Sequence, residues 1–172
     1  MRRPEKAIAI VLALLVSSLL VQACGFKLRG SVAINPNLTP VQIKDLGGVN
    51  QIAPVLRDAI LNQGIAVVHE SSQANAIVNL MAERFDRKVL TVSSAGQVQE
   101  YTLTYSVDFF VNSNDETELL KKSSVYVERV LRFDEAELSA KAAEAGSLQK
   151  NMLQDASRQI LRQMEYIQTT QK

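Results

Sequence analysis

Two residue types that often perform chemistry occur once each in this sequence, as Cys24 and His69. A thiol can act as a nucleophile or accept a lipid, and an imidazole can transfer protons or bind a metal. One cysteine excludes a disulfide framework and a multi-cysteine metal site, and one histidine excludes a histidine-cluster metal centre. His69 ends an apolar stretch and has no acidic partner at a telling spacing, which favours a structural role. We therefore expect no metal site and no catalytic residue.

Two other patterns could suggest an enzyme. Gly47-Gly48 lacks the Lys-Ser/Thr continuation of a phosphate-binding loop. The acidic run at residues 134–137 fits a solvated loop or the start of a helix better than a metal site. The sequence does not exclude a pair of carboxylates for acid–base catalysis, but the spacing of its acidic residues does not indicate one. The sequence predicts a protein that is not an enzyme, with a hydrolase of unrecognised type as an alternative.

The composition is that of a single globular domain. The chain has 172 residues, of which 47% are hydrophobic and 22% charged, and the formal net charge is +1. Such a chain is too apolar to be disordered. The charge gives no basic signature of nucleic-acid binding, so we expect no nucleic-acid partner.

The first 23 residues have the pattern of a signal peptide. A short basic region, residues 1–6, precedes an apolar run that contains only three polar residues, Ser17, Ser18 and Gln22. The run is short for a membrane span, which needs about 20 apolar residues. The alternative is an uncleaved anchor helix.

The end of the apolar run resembles a bacterial lipobox. Residues 21–24 read Val-Gln-Ala-Cys, with the small Ala23 directly before the only cysteine. In lipobox proteins this cysteine is diacylated, the signal peptide is cleaved, and the new N-terminus is acylated. The resemblance implies a covalent lipid on Cys24 and no other cofactor, and a membrane anchor, because two or more acyl chains bind a bilayer stably. A free, buried Cys24 is the alternative. Gly25, rather than Asp, stands at the position that sorts such lipoproteins, which implies delivery to the outer membrane.

The remaining chain, residues 24–172, predicts a mixture of strands and helices. Short strands are expected at 25–30, 41–46 and 65–68. Between the last two, apolar residues spaced by three and four predict a helix with Asn50 as its cap and Gly64 after its end: Val49, Ile52, Val55, Leu56, Ala59 and Ile60.

A long hairpin and a final helix complete the pattern. Residues 76–92 and 97–111 alternate apolar and polar side chains around a turn at 93–96, with a change of phase near Phe85 that suggests a bulge. A strand through 125–133 includes Arg129 in its apolar phase, which places it near an edge or a functional surface. An apolar stripe from Leu148 to Ile167 predicts a C-terminal helix before a polar tail. The predicted fold is an α/β two-layer sandwich, with two helices packed on one face of a mixed, about four-stranded sheet.

Several ordered motifs resemble the LptE family of lipopolysaccharide-assembly lipoproteins, also called rare lipoprotein B. The start Cys-Gly-Phe-Lys-Leu-Arg at residues 24–29 is similar to the family's opening. Gly96-Gln97 followed by Glu100-Tyr101 is similar to its hairpin motif, and residues 125–134 before a long helix follow its order. The resemblance spans nearly the whole of residues 24–172.

The resemblance implies a function without catalysis. Members of the family sit as a plug inside the outer-membrane barrel protein LptD, help it to fold and contact lipopolysaccharide. They have two helices packed against a sheet. The expected location is therefore the cell outer membrane, on its periplasmic side, and the expected partners are LptD and lipopolysaccharide. A lipoprotein that binds a hydrophobic or glycan ligand on its own is the alternative.

Basic residues are the candidates for contact with lipid phosphates. Arg84, Arg87 and Lys88 cluster on the first hairpin arm, and Lys141 precedes the last helix. Guanidinium and ammonium groups form charge-assisted bonds to phosphate. We expect Arg87, Lys88 and Lys141 to contact lipopolysaccharide, the alternative being that they are ordinary solvated charges. Relatives can have Arg in the hairpin turn, where this chain has Ser94, so the turn itself is not expected to bind phosphate.

Overall fold

The computed structural model describes residues 34–48, 51–133 and 138–167, with the side chains of 138–141 excepted. The predictions for residues 1–30, for Asn50, for the acidic run at 134–137 and for the polar tail lie outside this part of the chain. The described elements are β1 (Val41–Asp45), α1 (Ile52–Leu61), β2 (Val67–Val68), β3 (Ala76–Val92), β4 (Val98–Asn112), β5 (Glu118–Arg132) and α2 (Leu138–Glu165).

The strands form one mixed sheet in the order β2-β1-β3-β4-β5. β1 runs parallel to both β2 and β3, whereas β3, β4 and β5 form antiparallel pairs. The predicted α/β sandwich is confirmed. The sheet has five strands rather than about four, because a two-residue strand, half-buried Val67 and Val68, adds a short edge beside β1. The expected position of Arg129 on an edge strand is also confirmed.

Helix α1 forms where the apolar spacing predicts it. Ile52, Leu56 and Ile60 recur every four residues and are fully buried. The helix ends in a Schellman motif, since the N–H of Ile65 donates to the carbonyl of Ile60 and that of Gly64 to the carbonyl of Leu61. Gly64 has a φ of 75°, a left-handed conformation that glycine adopts without strain. The predicted role of Gly64 is confirmed.

The core lies between the helices and one face of the sheet, which we call the helix face. Strand β4 points every second residue at it, and five of these side chains are at most 2% exposed: Leu103, Tyr105, Val107, Phe109 and Val111. From the other side, α2 contributes residues spaced by four along one stripe: Met152, Ala156, Ile160 and Met164. Each large apolar side chain buried in this way contributes about 1.5–3 kcal/mol. The opposite side of the sheet is called the open face.

Strand β3 bends where it leaves β1. Met81 and Ala82 together stand opposite the single residue Asp108 of β4, which is a β-bulge. The bulge lies before the position near Phe85 that the sequence suggests. The alternation of side chains along β3 changes at this earlier point, where its pairing with β1 ends at Leu80. At that point the N–H of Leu46 donates to the carbonyl of Leu80, and Gly47 lies so close to the backbone of Met81 that a Cβ would overlap it.

Glu83, directly after the bulge, connects three elements. Its carboxylate accepts a hydrogen bond of 2.9 Å from the Tyr105 hydroxyl of β4 and one of 3.2 Å from the backbone N–H of Gln51, just before α1. Burial of the Tyr105 ring raises the pKa of its hydroxyl, and the neighbouring Glu83 carboxylate raises it further. Tyr105 therefore stays protonated and keeps donating to Glu83 throughout the neutral and mildly alkaline range.

The burial of β4 gives a direct prediction. Leu103→Asp should lower the free energy of unfolding by about 3 kcal/mol or more, since it places an unpaired carboxylate among apolar side chains. Thr102→Asp, on the open face of the same strand, is the matched control and should cost far less. Thermal unfolding of both variants in detergent measures the difference, and equal melting temperatures would refute the assignment of the buried face.

The Tyr105 hydroxyl gives a second prediction. A tyrosine whose folded-state pKa is raised contributes stability that is present below its unfolded-state pKa of about 10 and is lost above it. Between pH 10 and pH 11 the free energy of unfolding of the parent protein should fall by about 1 kcal/mol more than that of Tyr105→Phe, because only the parent chain releases the Tyr105 proton on unfolding. Urea unfolding of both proteins across this range measures how the free energy of unfolding changes with pH. Parallel pH profiles would show that Tyr105 ionises equally easily in the folded state.

Candidate functional site

The outer half of the β3–β4 hairpin, residues 84–100, is called the distal hairpin, and its β3 arm forms an edge of the described sheet. β1 pairs only with residues 76–80 of β3, so beyond the bulge β3 is bonded to β4 alone among the described strands. The turn at its tip is closed by a 2.7 Å bond from the N–H of Ser93 to the carbonyl of Gln97. Gly96 adopts a φ of 80° there, as the predicted turn requires.

Apolar side chains of the distal hairpin are exposed. Phe85 is 38% exposed, Leu90 is 49% exposed, and Val89 and Val92 are 54% and 55% exposed. Phe85 and Val89 stand opposite Tyr105 and Tyr101, so they continue the helix face beyond the core. A group of exposed apolar residues on one edge element is typical of a surface that contacts a lipid or another protein.

Basic side chains alternate with these apolar ones, but on both faces of the hairpin. Arg87 pairs with Leu103 and so lies on the helix face, whereas Lys88 pairs with Thr102 and lies on the open face together with Arg84. The sequence cluster is therefore split by the sheet. The expectation that Lys141 precedes the last helix is wrong: α2 already begins at Leu138, so Lys141 lies in its first turn, and its side chain is outside the described residues.

Arg87 has a fixed environment. Its guanidinium carbon lies 4.6 Å from the centre of the Tyr101 ring, within the range of a cation–π contact. The Tyr101 ring in turn meets Phe133 edge to face, with ring centres 5.4 Å apart. This stack orients the guanidinium without using a carboxylate, so its N–H groups stay available for an anionic ligand.

The open face of the sheet is polar around Asp108. The Ser124 hydroxyl donates a 2.6 Å hydrogen bond to Asp108, and the Lys122 ammonium lies 3.4 Å from the same carboxylate. These two contacts lower the pKa of Asp108, the hydrogen bond from Ser124 contributing most. A face of this kind suits a wet or polar environment rather than a second apolar layer.

The described residues contain neither a metal-binding cluster nor a membrane-spanning helix. Within 34–48, 51–133 and 138–167, no group of three His, Cys, Asp or Glu residues is placed to hold a metal ion. His69 is exposed after β2. Neither helix in these ranges combines the length and the hydropathy that a bilayer span requires.

Comparison with known proteins agrees with this arrangement. Residues 38–164 match the family model described as LptE, lipopolysaccharide-assembly. The LPS-assembly lipoprotein LptE of Photorhabdus laumondii is 24% identical over 177 residues, which cover all of this chain and 91% of that protein.

Solved structures show the same fold. The solution structure of lipoprotein B from Nitrosomonas europaea is 32% identical, with a TM-score of 0.67, over 82% of this chain and 90% of that one. The crystal structure of rare lipoprotein B from Shewanella oneidensis, 22% identical over 72% of this chain and 92% of that one, has a TM-score of 0.61. Since the family model spans most of the domain, both helices included, the chain belongs to the LptE family of lipopolysaccharide-assembly lipoproteins.

Proposed function

We propose that this chain is an outer-membrane lipoprotein that plugs the LptD barrel, assists its assembly and contacts lipopolysaccharide during insertion at the cell surface. The observation that supports this most is the distal hairpin, which presents exposed apolar and basic side chains on a domain of the LptE family. The family is not enzymatic and acts without a cofactor, in agreement with the expectation from the sequence.

The role of a plug fits the surface of the domain. The lumen of an outer-membrane barrel is polar, so a domain that fills it needs a polar surface. The open face supplies one, with Asp108, Ser124 and Lys122 as its centre. The nearly neutral charge of the chain also avoids strong self-repulsion in a confined space.

Contact with lipopolysaccharide fits the distal hairpin. Lipid A combines phosphates with acyl chains, so a surface that receives it needs cations beside apolar groups. Arg87 lies between Phe85 and Val89 on the helix face, and Lys88 offers an ammonium group on the open face. We infer that the lipid contacts both faces of the distal hairpin, with Lys141 as a further phosphate partner.

The anchor and its location belong to the same proposal. A lipidated Cys24 followed by Gly25 would hold the domain at the outer membrane, on the periplasmic side, after residues 1–23 are removed. Three acyl chains make such an anchor stable.

Copurification with LptD from the same genome tests the partnership. The chain, tagged at its C-terminus and expressed with LptD, should retain the barrel protein through a detergent extraction. An unrelated lipoprotein with the same tag is the control. A chain that leaves the column without LptD would favour the stand-alone binding role.

Lipid attachment gives a further prediction. Cys24→Ala should accumulate as an unlipidated precursor that still contains residues 1–23, because the thiol that receives the lipid is absent. Metabolic labelling with palmitate, followed by mass measurement of the purified protein, detects both effects. Palmitate label on the variant would place the lipid elsewhere in the chain.

Charge reversal tests the contact with lipopolysaccharide. Replacement of Arg87, Lys88 and Lys141 by Glu should weaken binding to purified lipopolysaccharide, because each charge-assisted bond contributes about 1.5–3 kcal/mol. The difference should shrink at high salt, where exposed charges are screened. The matched control reverses three exposed lysines elsewhere in the domain, Lys44, Lys121 and Lys150. Equal affinity of the parent and the triple variant at low salt would show that other groups make the contact.

A further inference from the structure

A polar groove lies between the outer edge of β5 and α2, on a different element from the distal hairpin. Its volume is about 370 Å³, and it is lined by residues 126–129 of β5 and by four residues of α2: Asp155, Arg158, Gln159 and Arg162. Among the described strands, β5 pairs only with β4, so its outer edge has no strand beside it. Such an edge is a template for an added strand.

The cations of this groove are held in place but not neutralised. The Asp155 carboxylate accepts hydrogen bonds from both the Arg129 and the Arg158 guanidinium groups. Arg129 also donates to the carbonyl of Glu128 over 2.7 Å. Each guanidinium has five N–H donors, so one shared carboxylate leaves most of these donors available.

Arg162 extends the positive wall by one helical turn. No carboxylate pairs with it within the part of the chain that the structure describes. Since α2 rises 1.5 Å per residue, Arg158 and Arg162 follow each other at about 6 Å along the helix. Their guanidinium groups therefore form a short row beside the free strand edge.

The spacing of this row matches an extended chain. Alternate residues of a strand point to the same side and lie about 6.7 Å apart. The two sides of the groove also have similar lengths. Residues 126–129 of β5 span about 10 Å along the strand, and the helix rises by about the same distance from Asp155 to Arg162. A strand added to β5 could therefore aim carboxylates at positions i and i+2 towards Arg158 and Arg162.

We propose that the groove binds an extended, acidic segment of the barrel partner, which joins the sheet beside β5 and pairs two alternate carboxylates with Arg158 and Arg162. The backbone of the strand edge supplies hydrogen bonds, and the arginines supply specificity for acidic side chains. This inference rests on the proposed pairing with LptD and names a surface for it.

Reversal of the arginine charges tests the inference on the full lipidated chain, expressed with LptD. Arg158→Glu combined with Arg162→Glu should reduce the retained LptD on the order of tenfold in low salt, and less in high salt. Arg162→Glu alone, which breaks no described ion pair, should produce part of the loss. The matched control is Lys121→Glu combined with Lys150→Glu, which makes the same charge change at exposed sites outside the groove, one of them on α2. The melting temperatures of the variants verify that the fold is intact.

A photo-crosslinking residue at Gln159 then identifies the occupant. The expected product is an LptD peptide with acidic residues at alternate positions, and changing these to Lys should restore retention of the doubly reversed chain. Equal retention of LptD by all variants, or a crosslink to lipopolysaccharide instead of protein, would overturn the inference and leave the proposed function standing. Failure of the parent chain itself to retain LptD would contradict both.

Discussion

The burial of one face of β4 is the constraint on which the structure depends. This central strand has a hydrogen-bonded neighbour on each side, and alternate side chains from Leu103 to Phe109 point into the layer of helices. A slip of one residue would turn every one of them to the open face. The register of β3 and β5 follows from this face, and with it the side of the sheet on which each charged residue lies.

The same constraint explains why part of the hairpin is exposed. Beyond the bulge, β4 still pairs with β5 and keeps Leu103 and Tyr105 buried, whereas β3 has β4 as its one neighbour among the described strands. The short β1 also ends at the level of Leu80. Beyond the bulge, the residues of β3 therefore keep the alternation of a core strand at an edge of the described sheet, where no further strand shields them. Phe85 and Val89 are exposed for this reason, and Arg87 stands between them.

Much of this architecture is readable from the sequence because it depends on local rules. Period-two alternation gives β4, spacing by three and four gives α1 and the apolar stripe of α2, and Gly64 marks a helix end. The features that sequence reasoning misses depend on distant pairs. Glu83 receives hydrogen bonds from Tyr105 and Gln51, and Arg129 meets Asp155, 26 residues away. Arg87 and Lys88 look like one cluster in the chain, but adjacent strand residues point to opposite faces, and only the register assigns each face.

The central claim is that the distal hairpin contacts lipopolysaccharide in cells, and site-specific photo-crosslinking tests it most directly. A photoreactive amino acid replaces Val92, which is 55% exposed on the hairpin, or Leu61, which is 49% exposed at the end of α1 and serves as the matched control. After irradiation of cells that assemble the outer membrane, the purified chain is probed for attached lipopolysaccharide. We expect a crosslinked product from position 92 and none from position 61. Lipopolysaccharide attached equally at both positions, or at neither, would contradict the account.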